Sequence, residues 1–184
     1  MKKIFALAAI LCCSIVSFGQ NKGDLGLTAN LNLGLYKTTY AGDYSSKQTA
    51  FGIGAGAQYF VIDNLAVGVS LDFDATSYGD DDKSHSFYIS PYVAYYLGIT
   101  DSFYYRPTIS YSLGIHKAKT PMNETSYNGN TFNIGLGVFE YRMRDHFAIT
   151  ANVLNLAFYN ENDSEMKTTY LNLQYPTLGV IYYF

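Results

Sequence analysis

The side chains able to do chemistry are few, and they stand on the polar face of otherwise neutral alternating stretches. Asp72 and Asp74 are two residues apart, so in an extended chain they point the same way. Arg106 and His116 occupy equivalent positions further on. Two carboxylates, a guanidinium and an imidazole can make a proton path or a polar gate. They can equally make an interior salt-bridge network, completed by the hydroxyls of Tyr88 and Tyr92. A buried charge needs a partner in either case. We expect the structural network, with Arg106 paired to a carboxylate inside the protein.

Other constellations carry less. Asp80, Asp81 and Asp82 form an acidic run without the spaced ligands of a calcium loop, so a solvated loop is expected. Asn123-Glu124-Thr125 matches a glycosylation pattern by type alone and is uninformative. Cys12 and Cys13 are the two cysteines, and both fall in the N-terminal segment. No cofactor or metal is expected.

These residues must be positioned by strands. Leu25, Leu27, Ala29, Leu31, Leu33 and Leu35 alternate with Gly26, Thr28, Asn30, Asn32, Gly34 and Tyr36. The same two-residue period recurs from Phe51, Leu65, Phe87, Phe103, Phe132, Phe147 and in the last residues, which predicts eight strands. Asp63-Asn64, Gly98–Asp101 and Arg142–Asp145 are short connections. Lys37–Gln48, Thr76–Ser84, Lys117–Asn128 and Tyr159–Lys167 are expected long loops. The phase slips near Val153–Leu154 and again between Leu173 and Pro176, which predicts β-bulges. Pro91, Pro107 and Pro176 fall on the apolar face and are expected at bulges or at a rim.

Which face is outside follows from composition. Charged residues make up 15% of the chain, against ~25% in ordinary soluble domains. The polar face consists of Gly, Ser, Thr, Asn and Tyr, and every Lys is expected in a loop or at the start. A water-exposed wall would carry many charges. A narrow interior calls for small and neutral polar residues, and an apolar exterior calls for lipid. A soluble carrier barrel would reverse the faces.

Met1-Lys2-Lys3, the apolar run Ile4–Val16 and the small residues Ser17 and Gly19 read as a cleavable signal peptide over residues 1–19. Residues 20–184 are then one barrel domain. Without Lys2 and Lys3 the chain has ten basic and fifteen acidic residues, net −5, which argues against nucleic acid.

Thr177, Gly179, Tyr182 and Phe184 end the chain in a polar-x-Gly-x-x-aromatic-x-aromatic pattern. This resembles the insertion signal of Gram-negative outer-membrane barrels, read by the barrel-assembly machinery. The whole of residues 20–184 is similar to the small eight-stranded OmpA/OmpX-type barrels of the porin-like outer membrane β-barrel domain family. The resemblance implies an eight-stranded antiparallel transmembrane up-and-down barrel, all-β, in the bacterial outer membrane. Its partners would be outer-membrane lipid, lipopolysaccharide and the assembly machinery. Val180, Tyr182 and Phe184 are expected towards lipid and Gly179 inwards.

Some barrels of this size modify lipid A. The deacylase kind resembles a His-x-Ser pair, but His85, His116 and His146 are followed two residues on by Phe87, Ala118 and Ala148. Asp82, Ser84 and His85 supply the residue types of an acyl transferase without a pattern. The expectation is a non-catalytic barrel with a side-chain-filled interior, serving envelope integrity or loop-mediated adhesion. A narrow porin is the alternative.

Overall fold

Alternation of two side-chain environments holds each stretch extended, because a shift of one residue would turn every apolar side chain to the wrong face. The computed structural model describes residues 21–39, 45–78, 82–119, 124–144, 146–161, 167–172 and 177–184. The proposed signal segment, both cysteines, Asp80, Asp81, Asn123, Pro176 and the phase slip before Pro176 lie outside them.

The described residues form thirteen strand segments. They are β1 (Leu25–Thr39), β2 (Ser45–Ile62), β3 (Leu65–Tyr78), β4 (Asp82–Tyr95), β5 (Leu97–Gly98), β6 (Phe103–Tyr105) and β7 (Thr108–Lys119). Then come β8 (Glu124–Gly135), β9 (Val138–Arg144), β10 (Phe147–Asn152), β11 (Asn155–Glu161), β12 (Lys167–Asn172) and β13 (Thr177–Tyr183). They make one antiparallel sheet in the order β12-β11-β8-β7-β4-β3-β2-β1-β13-β10-β9-β6-β5. The first strand pairs with the last, Leu27 opposite Tyr182 and Leu31 opposite Leu178, so the fold is an all-β, barrel-like one.

Several breaks between segments are bridged by backbone bonds. Tyr95 N–H donates to Pro107 O (3.1 Å), and Arg106 N–H to Val138 O (2.8 Å). Leu136 and Gly137 both donate to Leu154 O at 3.0 Å, and Val153 donates back to Gly137 O. The slip expected at Val153–Leu154 is therefore present. A second slip at Leu136–Gly137 was not expected. It turns Val138 inwards, although Val138 continues the apolar series Phe132, Ile134 and Leu136 in the sequence. Pro107 sits at a break, but Pro91 does not. It lies within β4, where the register with β7 is the same on both sides and the ladder omits Ser90 and Pro91. The missing N–H removes a rung without adding a bulge.

The four hairpins are longer than the alternation indicated. β1 and β2 stay paired to Thr39 and Ser45, β3 and β4 to Tyr78 and Asp82, and β7 and β8 to Lys119 and Glu124. β11 and β12 stay paired to Asn160 and Lys167. Beyond the apolar band both faces are polar and the period disappears, while backbone pairing continues. Lys83, Lys117 and Lys119 accordingly lie in strands, not in loops.

Outside, Leu31, Ile53, Leu71, Ile89, Ile109, Leu113, Ile149 and Leu178 are exposed along a continuous wall. Water-soluble monomers rarely show apolar patches of that extent. Inside, Phe60, Ala66, Ala94, Tyr96, Ala148, Ile181 and Tyr183 form a buried cluster. It lies at the end holding the Asp63-Asn64 turn and the end of the chain. Asn64 takes a φ of 63° there, a conformation that Asn tolerates.

Candidate functional site

The interior has a charged floor and a polar cavity above it. The floor is centred on Glu140, which has no exposed surface. β9 carries it inwards because of the slip at Leu136–Gly137. Tyr183, on the closing strand β13, places its hydroxyl 2.7 and 2.9 Å from the two Glu140 oxygens. Arg142 Nε donates to Glu140 at 3.3 Å, and Arg106 Nη1 stands 3.7 Å away. Arg106 also lies over the Tyr96 ring, and Arg142 over the rings of Tyr183 and Tyr104. Gln58 donates to the Tyr96 hydroxyl (2.7 Å) and accepts from Tyr92 (3.2 Å). Two guanidiniums and one carboxylate share this site, with tyrosine rings and hydroxyls taking up the remaining cationic surface.

Arg106 does pair with an interior carboxylate, as expected, but the partner is Glu140. Asp72 and Asp74 are held elsewhere. Asn30 and Ser70 donate to Asp72 at 3.1 and 2.6 Å, and Asn32 hydrogen-bonds Asp74. Gly54 and Gly52 make room for these carboxylates, since a Cβ at either position would overlap Asp72 or Asp74. Tyr92 covers Gly68, and Tyr88 covers Gly114. The space at these four glycines is thus filled by side chains of neighbouring strands, Asp and Asn at Gly52 and Gly54 and Tyr at Gly68 and Gly114.

Tyr88 meets His116 edge-on at 5.3 Å, and His116 Nδ1 is 2.8 Å from Ser86 Oγ. A neutral chain of bonds runs along the wall from β4 through β7 and β8 to β11. Ser90 donates to Ser112 (2.8 Å), Asn133 to Ser112 (3.3 Å), and Asn155 to Asn133 (3.2 Å). Among the described residues no three His, Cys, Asp or Glu side chains are grouped to hold a metal ion.

The interior is not wholly filled. A cavity of about 380 Å³ lies above the floor, lined by Asp72, Asp74, Ser90, Arg106, Asn133 and Asn152 among others. The filled interior expected from the sequence holds at the floor and fails above it, because Ser, Thr and Asn are too short to meet across the barrel.

At the chain end, Thr177 lines this cavity, Gly179 is buried, and Val180 and Tyr182 face outwards. Phe184, also expected outwards, is covered by its neighbours. It is only 8% exposed, packs edge-on against Tyr182 at 4.9 Å, and its N–H bonds Leu25 O. Glu140, Arg142, Gln58 and Tyr183 are the site residues that sequence reasoning missed. A signal was present: Phe139, Tyr141 and Met143 alternate with Glu140 and Arg142 in the phase opposite to that of Phe132–Leu136.

An antiparallel sheet whose first and last strands pair, apolar outside and polar inside, is the construction of a β-barrel that spans a membrane. The chain belongs to the outer membrane protein beta-barrel domain family, whose profile matches residues 5–184. It is a bacterial outer-membrane protein.

The fold is similar to that of Ail, the attachment invasion locus protein of Yersinia pestis, at 12% identity and a TM-score of 0.51. That match covers 89% of this chain and 99% of Ail. Neisserial surface protein A (NspA) matches at 13% identity and a TM-score of 0.50, covering 88% of this chain and 99% of NspA. No curated protein sequence matches.

Proposed function

We propose that this protein is a non-catalytic barrel of eight crossings, which holds four paired hairpins outside the cell for envelope integrity or adhesion. Residues 1–19 are its cleaved signal peptide. Thr177, Gly179, Tyr182 and Phe184 are the address read by the barrel-assembly machinery. The eight crossings are β1, β2, β3, β4 with β5, β6 with β7, β8 with β9, β10 with β11, and β12 with β13. In support, Ile89 opposite Leu113 and Leu97 opposite Tyr105 belong to a single register across the break at Tyr96.

The observation that carries the reading is the floor. Glu140, Arg106, Arg142 and Tyr183, packed against Phe60 and Tyr96, obstruct the interior at the turn end. A blocked barrel acts through its surface. Adhesion fits the hairpins, whose pairing continues past the apolar band, and Ail, which shares the fold, bears the name of an attachment protein. In planar bilayers the purified protein is expected to show no steady ohmic step. A steady step would favour a narrow channel, the alternative that the 380 Å³ cavity supports. Overexpression is expected to leave the mass of lipid A unchanged, and a changed mass would overturn the non-catalytic reading.

A further inference from the structure

The outer wall of β4 and β7 changes character abruptly at the hairpin end of the apolar band. Phe87 and Ile89 on β4, and Leu113 and Ile115 on β7, are exposed apolar residues of one face. The next positions on that face are basic. His85 stands opposite Lys117 and Lys83 opposite Lys119, and all four are exposed. His85 stacks on the outward Phe73, 6.0 Å away and 15° from parallel, which fixes this patch to the lipid-facing side.

Among the described residues the neighbours do not neutralise the patch. On β3, Ser77 lies opposite Lys83 and Ala75 opposite His85. On β8, Ser126 lies opposite Lys117, and Glu124 opposite Lys119 is the one acid. Asp82 alternates to the other face of β4. Among the described residues three ammoniums therefore face one carboxylate. Like charges directly opposite on paired strands repel, and a nearby low dielectric strengthens the repulsion.

The height of the patch matters as much as its charge. From Tyr95 to Lys83 along β4, ~3.3 Å per residue at a tilt of ~40° gives a rise of about 30 Å. That is about the thickness of a bilayer's hydrocarbon core. The lysines thus stand where lipid headgroups begin, with their aliphatic stems continuing the apolar wall. A phosphate monoester carries a charge of about −1.5 to −2 and would balance the surplus, whereas a phosphodiester carries a single charge.

We propose that Lys83, Lys117 and Lys119 seat a phosphate monoester of an acylated sugar lipid in the outer leaflet, whose acyl chains lie along Phe87, Ile89, Leu113 and Ile115. The proposal rests on the reading that the hairpin end faces outwards.

The test uses the mature protein refolded in detergent, with native mass spectrometry of lipid retained after exchange. Diphosphoryl lipid A is expected to be held about 30-fold more tightly than its dephosphorylated form, from roughly 1 kcal/mol for each of the two surplus positive charges. The Lys83→Gln/Lys119→Gln protein, checked for folding by its heat-dependent gel migration, is expected to lose that preference. Equal retention of the two lipids by the unaltered protein would overturn the proposal, even if the double variant failed to fold. So would an undiminished preference in the folded variant, or phosphatidylglycerol held as tightly as lipid A. Sidedness is read separately: Thr125→Cys is expected to react with an impermeant maleimide on intact cells. Failure to label would overturn the outer-leaflet placement without touching the binding result.

Discussion

The hydroxyl of Tyr183 lies within 3 Å of both carboxylate oxygens of Glu140, joining the closing strand to one 43 residues earlier in the chain. This carboxylate has no exposed surface and stands between two guanidiniums.

Removing it should be the most damaging single change in the interior. Glu140→Ala leaves the buried Arg106 and the partly buried Arg142 without their carboxylate, which is expected to cost about 3–5 kcal/mol. Arg106→Ala should cost clearly less, because Arg142 and Tyr183 still hold Glu140. Denaturant unfolding in detergent, followed by gel mobility, measures both. If Arg106→Ala left stability unchanged, the pairing at 3.7 Å would be of no consequence.

Tyr183→Phe keeps the ring between Phe60 and Arg142 but deletes the hydroxyl. A hydrogen bond to a charged group contributes about 1.5–3 kcal/mol, and that is the expected loss. The adjacent Tyr182→Phe, on the exposed face, should stay within about 0.5 kcal/mol of the parent. Equal effects at the two positions would contradict the inward placement of Tyr183.

Gly54→Ala drives a methyl into Asp72, so a loss of about 1–3 kcal/mol is expected from overpacking. Asp72→Ala in the same chain removes the obstruction and should recover part of it. A double-mutant cycle gives the coupling, and additive effects would show that the two residues do not share the space.

Ile89 is an exposed residue near the middle of the apolar wall. Ile89→Arg is expected to cost about 2–4 kcal/mol in a bilayer, whereas on a water-facing surface it would be close to neutral. Folding yield into phospholipid vesicles, compared with the parent, reads the difference.

Much of this was legible from side-chain order alone. A residue's face depends on the parity of its position, so Asp72, Asp74, Tyr88, Tyr92 and Arg106 could be assigned inwards without knowing any contact. The apolar exterior and polar interior follow from the same parity, because water, lipid and a narrow interior each tolerate different residue types. The slip at Val153–Leu154 was visible for the same reason.

Contacts between strands distant in sequence were decided by the tertiary structure. Parity says that Arg106 points inwards, but the stagger of β6 against β9 determines that it meets Glu140 and not Asp72. The bulge at Leu136–Gly137 reverses parity for Val138 and Glu140, and a Gly where the phase changes blurs that signal. The hairpin ends left no period because both their faces carry polar residues, so backbone pairing alone shows how far β7 and β8 extend. The pairing of Leu27 with Tyr182 is likewise a property of closure, in which the first strand can be satisfied only by the last.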